Sequence, residues 1–155
     1  MYKRQRFNQG VLLKFMLDAG ADRIGDPSQS HCVAIDARAP LYDGGICTRI
    51  DCVSLGVVVN RDAQRFYDEG EDFWPKRYAI WGRLTAMQPG QIAYSIIDAK
   101  AIGRFMPPVF PGVKADTLPE LATQLGLDPV AFERTVRDYN QACRCLLYTS
   151  PSPRD

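Results

Sequence analysis

The sequence predicts a single α+β domain, and three observations carry that expectation. Two short strand-like runs, at residues 54–60 and 91–98, are set among stretches with helical spacing. Glycine- and proline-bearing loops separate these elements, and no internal repeat is present. The chain is 155 residues long, enough for one modest hydrophobic core.

Taken in order, residues 11–19 (VLLKFMLDA) are apolar on most faces and stop at Gly20, the pattern of a buried helix with a glycine terminator. Loop chemistry follows in Gly25-Asp26-Pro27-Ser28 and in Asp43-Gly44-Gly45. Residues 54–60 (SLGVVVN) form a β-branched run bounded by polar residues, and the run reads as a buried strand. Residues 74–87 carry helical spacing, and residues 91–98 (QIAYSIID) read as a second strand. Thr117 followed three residues later by Glu120 is a capping box that opens a helix to about Leu125. Asp128-Pro129 starts another helix, with Phe132, Val136, Tyr139 and Cys143 along one stripe.

Nineteen basic residues face eighteen acidic ones, for a net charge of +1. That balance argues against binding nucleic acid or an anionic membrane through bulk charge. No apolar run is long enough to insert across a bilayer, and no signal-peptide pattern precedes the first helix. The five cysteines are odd in number and lack C-x-x-C spacing, which argues against a disulfide framework or zinc site and fits a reducing cytoplasm.

The two ends read differently from the rest. Residues 1–5 and 145–155 resemble the translated ends of a transposase sequencing adapter. The reverse complement of one codon set for Met1-Tyr2-Lys3-Arg4-Gln5 reads through Cys145-Leu146-Leu147-Tyr148-Thr149. Both ends are expected to be non-native, leaving residues 6–144 as an internal piece of a longer gene. The alternative for the C-terminus is an ordinary Ser/Pro-rich disordered tail.

Candidate chemistry is sparse. No G-x-G-x-x-G, P-loop, H-E-x-x-H or G-x-S-x-G motif occurs, and His31 is the single histidine. The acids Asp68, Glu69, Glu71 and Asp72 read either as a solvated loop or as a hard-cation site. Within residues 74–87, Trp74, Tyr78, Ile80, Trp81, Leu84 and Met87 share one broad apolar arc, and Arg77 lies in the middle of it. An inward arginine cannot shed its charge, so it either pairs with a nearby acid or lines a wet, anion-binding cavity.

Asn60-Arg61-Asp62-Ala63-Gln64-Arg65-Phe66 resembles the N-x-x-G-x-R-F segment of the fumarate reductase/succinate dehydrogenase flavoprotein family, with Ala63 in place of the glycine. His31, after Gln29-Ser30, sits where that family has the histidine of Q-x-H-P-T, although Cys32-Val33 follows it. Thr48 lies at the family's spacing for a substrate-binding threonine, and Arg77 at roughly the place of its proton-transferring arginine. The stretch from Asp36 through Asp98, including YDGGICTRIDC and YDEGEDFWPKRYAIWGR, is similar to the FAD-dependent tricarballylate dehydrogenases.

The resemblance implies that residues 6–30 end an FAD-binding domain segment whose Rossmann-like core is largely missing, and that residues 31–144 are a partial capping domain. It implies oxidation of tricarballylate to cis-aconitate with FAD as cofactor and an electron-transfer partner that reoxidises it. The setting is cytoplasmic, with membrane association through that partner. His31 and Thr48 would hold substrate carboxylates, and Arg77 would sit at the departing proton. An arginine is a poor base, so Tyr78 is the alternative proton acceptor. Gly10, in Gly10-Val11-Leu12 at the family's G-D-G, is the one cofactor-binding candidate, and FAD is not expected to bind this stretch alone. Fumarate reductases carry Glu and Arg where this chain has Arg49 and Cys52, a difference that suits the oxidising direction. A substrate with three carboxylates needs one more cation than a dicarboxylate, and Arg49 supplies it, unless it pairs instead with Asp51 or an acid of residues 68–72. Rival readings are a fumarate reductase-like or ketosteroid dehydrogenase-like enzyme, or a non-catalytic binding module.

Overall fold

The computed structural model describes residues 9–149 apart from 27, 42, 72 and 73. The expected adapter residues 1–5 and 150–155 lie outside the described residues, as do residues 6–8 and the side chains of Trp74 and of 144–149. In chain order the elements are α1 (Val11–Asp18), β1 (Val57–Asn60), α2 (Trp74–Ala86), β2 (Ala93–Ile96), α3 (Leu118–Leu125) and α4 (Pro129–Thr149). Single 3-10 turns sit at Val53–Leu55, Pro89–Gln91 and Ala99–Ala101. The class is α+β, built on a two-stranded antiparallel sheet.

β1 and β2 pair in the register Val57↔Ile96, Val58↔Ser95, Val59↔Tyr94 and Asn60↔Ala93. Side chains alternate between the sheet faces, and here both faces are covered. Val57 and Val59 pack with Ala122, Leu127 and Phe132 of the α3–α4 hairpin, whereas Val58 packs with Val53 and with Trp81 of α2. All four residues of β1 are therefore buried, which explains its uninterrupted apolar run. The hairpin begins as its sequence dictates, with the Thr117 hydroxyl accepting from Glu120 N–H and Gly126 closing α3 in the left-handed region.

Three expectations need correction. α1 forms where the periodicity places it, but it is not buried: Val11, Leu12, Leu13, Phe15, Met16 and Leu17 are 37–74% exposed. Its residues are apolar on most faces, and neither hydrophobic core cluster includes any of them. The first strand starts at Val57 because Val53–Leu55 winds into a 3-10 turn and Gly56 breaks it. A Cβ at Gly56 would lie 2.0 Å from the Ile96 carbonyl oxygen, so β2 can approach only a glycine there. The second strand is likewise shorter than residues 91–98, because Gln91 closes the Pro89–Gln91 turn with a positive φ of 55°.

Residues 60–70 form a tightly bonded loop beyond β1. The Asn60 side-chain oxygen accepts from Asp62 and Gln64 N–H at 2.9 and 3.0 Å. Ala63, fully buried, adopts φ 56°, a left-handed conformation that suits glycine, which is the residue the resembling motif has at this position. The acidic cluster is not uniformly solvated. Glu69 is 2% exposed and accepts from Val58 N–H at 2.7 Å and from Arg65 through both carboxylate oxygens. Arg65 in turn lies 4.7 Å over the Tyr139 ring of α4.

A second arginine fastens the long segment after β2. Arg38 bonds both oxygens of Asp36 at 2.6–2.8 Å and reaches the carbonyls of Pro111 and Phe110 at 2.7 and 3.1 Å. The bonds from Arg38 hold the Asp36 carboxyl below its usual value, against the opposing effect of burial. A carboxyl lowered in the folded state stabilises the fold above its unfolded value and loses that contribution as pH falls through the folded one. Arg38→Ala should therefore lower the urea midpoint at about pH 7, with the gap to wild type narrowing by about pH 3. A gap independent of pH would contradict this role for the pair.

Candidate functional site

Backbone pairing brings the segment containing His31 beside the one containing Thr48 and Arg49. Asp36 N–H donates to Thr48 carbonyl at 2.8 Å, Ile50 N–H donates to Ala34 carbonyl at 3.1 Å, and Ile35 and Arg49 form an antiparallel bridge. Upstream, the chain lies directly on α2. Cys32 N–H donates to Ala79 carbonyl at 2.7 Å, and Gly82 N–H donates to Cys32 carbonyl at 3.0 Å. This contact requires a glycine, since a Cβ at Gly82 would lie 2.6 Å from Val33 oxygen and 2.8 Å from Cys32 oxygen. Gly82→Ala should destabilise the fold by about 1–2 kcal/mol through overpacking. It should also displace His31 from α2, seen as a changed histidine NMR signal; an unchanged midpoint and signal would refute the close approach.

The consequence is a cluster centred on Tyr78. The His31 ring meets the Tyr78 ring edge-on at 5.1 Å and 73°, and the Arg49 guanidinium lies over the same ring at 5.4 Å. Arg49 also bonds Asp51 in two-pronged fashion at 2.6 and 2.8 Å. Asp51 raises the Arg49 pKa further, so this guanidinium acts as a fixed cation. Of the two readings of Arg49 drawn from the sequence, pairing with Asp51 is present in the structure; its place over Tyr78 keeps it in the cluster.

Thr48 is buried, and its hydroxyl donates to the Asp43 carboxylate, which also accepts from Gly45 N–H at 2.7 Å. Its donor is thus turned to Asp43, while its backbone positions Arg49. Arg77 adjoins Tyr78 on α2 and is 28% exposed. One terminal nitrogen pairs with Glu71, whereas its buried Nε has no hydrogen-bond partner. The inward arginine of the sequence pattern thus carries an acid partner at one end and an unpaired donor at the other.

Sequence reasoning missed several contributors. Tyr78 as the hub and Gly82 as the contact point depend on which segments touch, whereas Asp51 was among the partners the sequence offered for Arg49. Tyr67 and Trp81 also carry buried polar atoms without partners. The one signal available in the sequence was Trp81 lying four residues after Arg77 on the same helix face.

The residues present do not fit a flavin site. Gly10 precedes α1 at φ 75° with no side-chain cap, and nothing lies within 4 Å of where its Cβ would be. A pyrophosphate cradle needs a strand leading through a glycine-rich turn into a helix, and no described strand precedes α1. Among the described residues no group of three or more His, Cys, Asp or Glu could hold a metal ion, and none of their helices is long and apolar enough to cross a membrane. Asp72 of the acidic cluster lies outside the described residues. Comparison of the chain with protein-family models, with characterised proteins and with solved structures yields no match.

Proposed function

We propose that residues 31–144 are the substrate-capping part of a longer, FAD-dependent dehydrogenase that oxidises tricarballylate to cis-aconitate. One observation carries the reading: the three segments that the resemblance singles out, at His31, at Thr48–Arg49 and at Arg77–Tyr78, meet around one tyrosine ring. His31 and Arg49 reach the Tyr78 ring from separated segments, and Arg77 adjoins Tyr78 on α2. Ring and guanidinium N–H donors of the kind that recognise a polycarboxylate gather there, with Asp51 and Glu71 orienting the two arginines. FAD, held by the remainder of the enzyme, would supply the hydride acceptor.

Within this chain, His31 and Arg49 bind carboxylates, and Arg77 is assigned to the carbon that loses its proton. It takes that proton only as the neutral guanidine, and the alternative acceptor is Tyr78 as the phenolate. Cys52 marks a departure from the fumarate reductases: where they place an arginine that relays protons, this chain has a buried thiol 3.6 Å from the Ser95 hydroxyl.

Arg49 tests the substrate. In the full-length enzyme, Arg49→Glu should weaken tricarballylate by about 2–4 kcal/mol, as expected for losing a paired charge in a closed site. Succinate, with one carboxylate fewer, should lose much less. Equal losses for the two would show that Arg49, through Asp51, holds the fold and does not read the third carboxylate.

A further inference from the structure

Four buried side-chain nitrogen or oxygen atoms among the described residues lack a hydrogen-bond partner: the Tyr67 hydroxyl, Arg77 Nε, Trp81 Nε1 and Arg83 Nε. Every one can donate, and the three nitrogens can do nothing else. Buried donors are rarely left unpaired in native folds, so a cluster of them marks a place where an acceptor belongs.

Three of the four belong to one locality. Arg77 and Trp81 are one turn apart on α2, and the Tyr67 ring meets the Trp81 ring edge-on at 6.3 Å and 77°. Arg83 projects from another side of the helix, where its terminal nitrogen bonds Gln29. Trp81 is 4% exposed, so its N–H is sealed from bulk water. The nearby acids are engaged, Glu69 by Val58 and Arg65, and Glu71 by the far end of Arg77.

We propose that Tyr67 and Trp81, with Arg77 Nε, form a carboxylate-holding subsite on α2, one turn from the Tyr78 cluster. A carboxylate oxygen suits it, because it brings only acceptor lone pairs to three donors, beside a guanidinium whose far end is held by Glu71. The proposal rests on the carboxylate reading of the site and adds two neutral donors to it. These fix the orientation of the ligand without adding positive charge.

The test uses the 155-residue chain in a Trp74→Phe background, which leaves Trp81 as its one tryptophan. Titration with tricarballylate should give a saturable change in Trp81 emission. Tyr67→Phe should weaken that binding about tenfold, the loss of one hydrogen bond to a charged group. It should not lower the unfolding midpoint, since the hydroxyl it removes is unpaired in the ligand-free fold. His31→Ala tests the wider reading in the same assay. Binding weakened by both variants supports both proposals. Binding weakened by His31→Ala but unchanged by Tyr67→Phe overturns the subsite and leaves the proposed function standing. Binding weakened by Tyr67→Phe alone supports the subsite and counts against His31 as a substrate ligand. No saturable change with tricarballylate overturns the subsite outright.

Discussion

Replacing Glu69 with alanine is expected to lower the unfolding free energy by about 3 kcal/mol. Glu69 is 2% exposed and ties three elements together: it accepts from Val58 in the centre of β1, it holds Arg65, and Arg65 stacks on Tyr139 of α4. Truncation strands a cation and leaves a buried N–H without its acceptor. Breaking a buried ion pair from one side costs about 3–5 kcal/mol. The lower figure applies because Arg65 keeps 31% of its side-chain surface in solvent. Against the 5–15 kcal/mol typical of a domain, about 3 kcal/mol is a large fraction. Glu71→Ala provides the contrast: Glu71 is 44% exposed, and its loss should cost less than about 1 kcal/mol. Urea unfolding of both variants checks the pair, and a Glu69→Ala loss below about 1 kcal/mol would show that the ion pair does not hold the loop to the sheet.

The second large effect concerns turnover. In the full-length enzyme, Arg77→Lys should reduce kcat more than tenfold, a barrier increase above about 1.4 kcal/mol, while flavin stays bound. The guanidinium bonds Glu71 at one end and presents a buried, unpaired Nε at the other. Lysine retains one point charge and loses the planar two-ended geometry. A positioning defect would raise KM, whereas loss of a group acting on the departing proton lowers kcat, so the split between the two identifies the role. Retention of more than about a tenth of the wild-type rate would make Arg77 a structural partner of Glu71 only.

Much of the local structure was legible in the sequence because its causes are local. The Thr117–Glu120 capping box, the Pro129 start of α4 and the VVVN core of β1 each follow from spacing and residue type, and each stands where the pattern places it. Burial was less legible. The apolar run of α1 forms a helix yet stays exposed, since periodicity specifies a face without specifying a partner for it. The acids of residues 68–72 look alike in sequence, but Glu69 is sealed between β1 and α4 while Glu71 remains at the surface. The site divides in the same way. Sequence singled out His31, Thr48, Arg49 and Arg77 as separate points, and the structure brings the two segments that hold the first three onto α2 through backbone pairing and the close approach at Gly82. That approach depends on contacts between residues about fifty positions apart, which no local pattern encodes.

Whether this chain clamps a polycarboxylate for oxidation, as proposed, is tested most directly by product analysis. The full-length enzyme, purified with its flavin, is incubated with tricarballylate and an artificial electron acceptor, and the products are separated by chromatography. Cis-aconitate is expected to form in step with acceptor reduction, with little turnover of succinate and almost none in the Arg77→Lys variant. A flavin-loaded enzyme that leaves tricarballylate unchanged while oxidising succinate or a ketosteroid would contradict it.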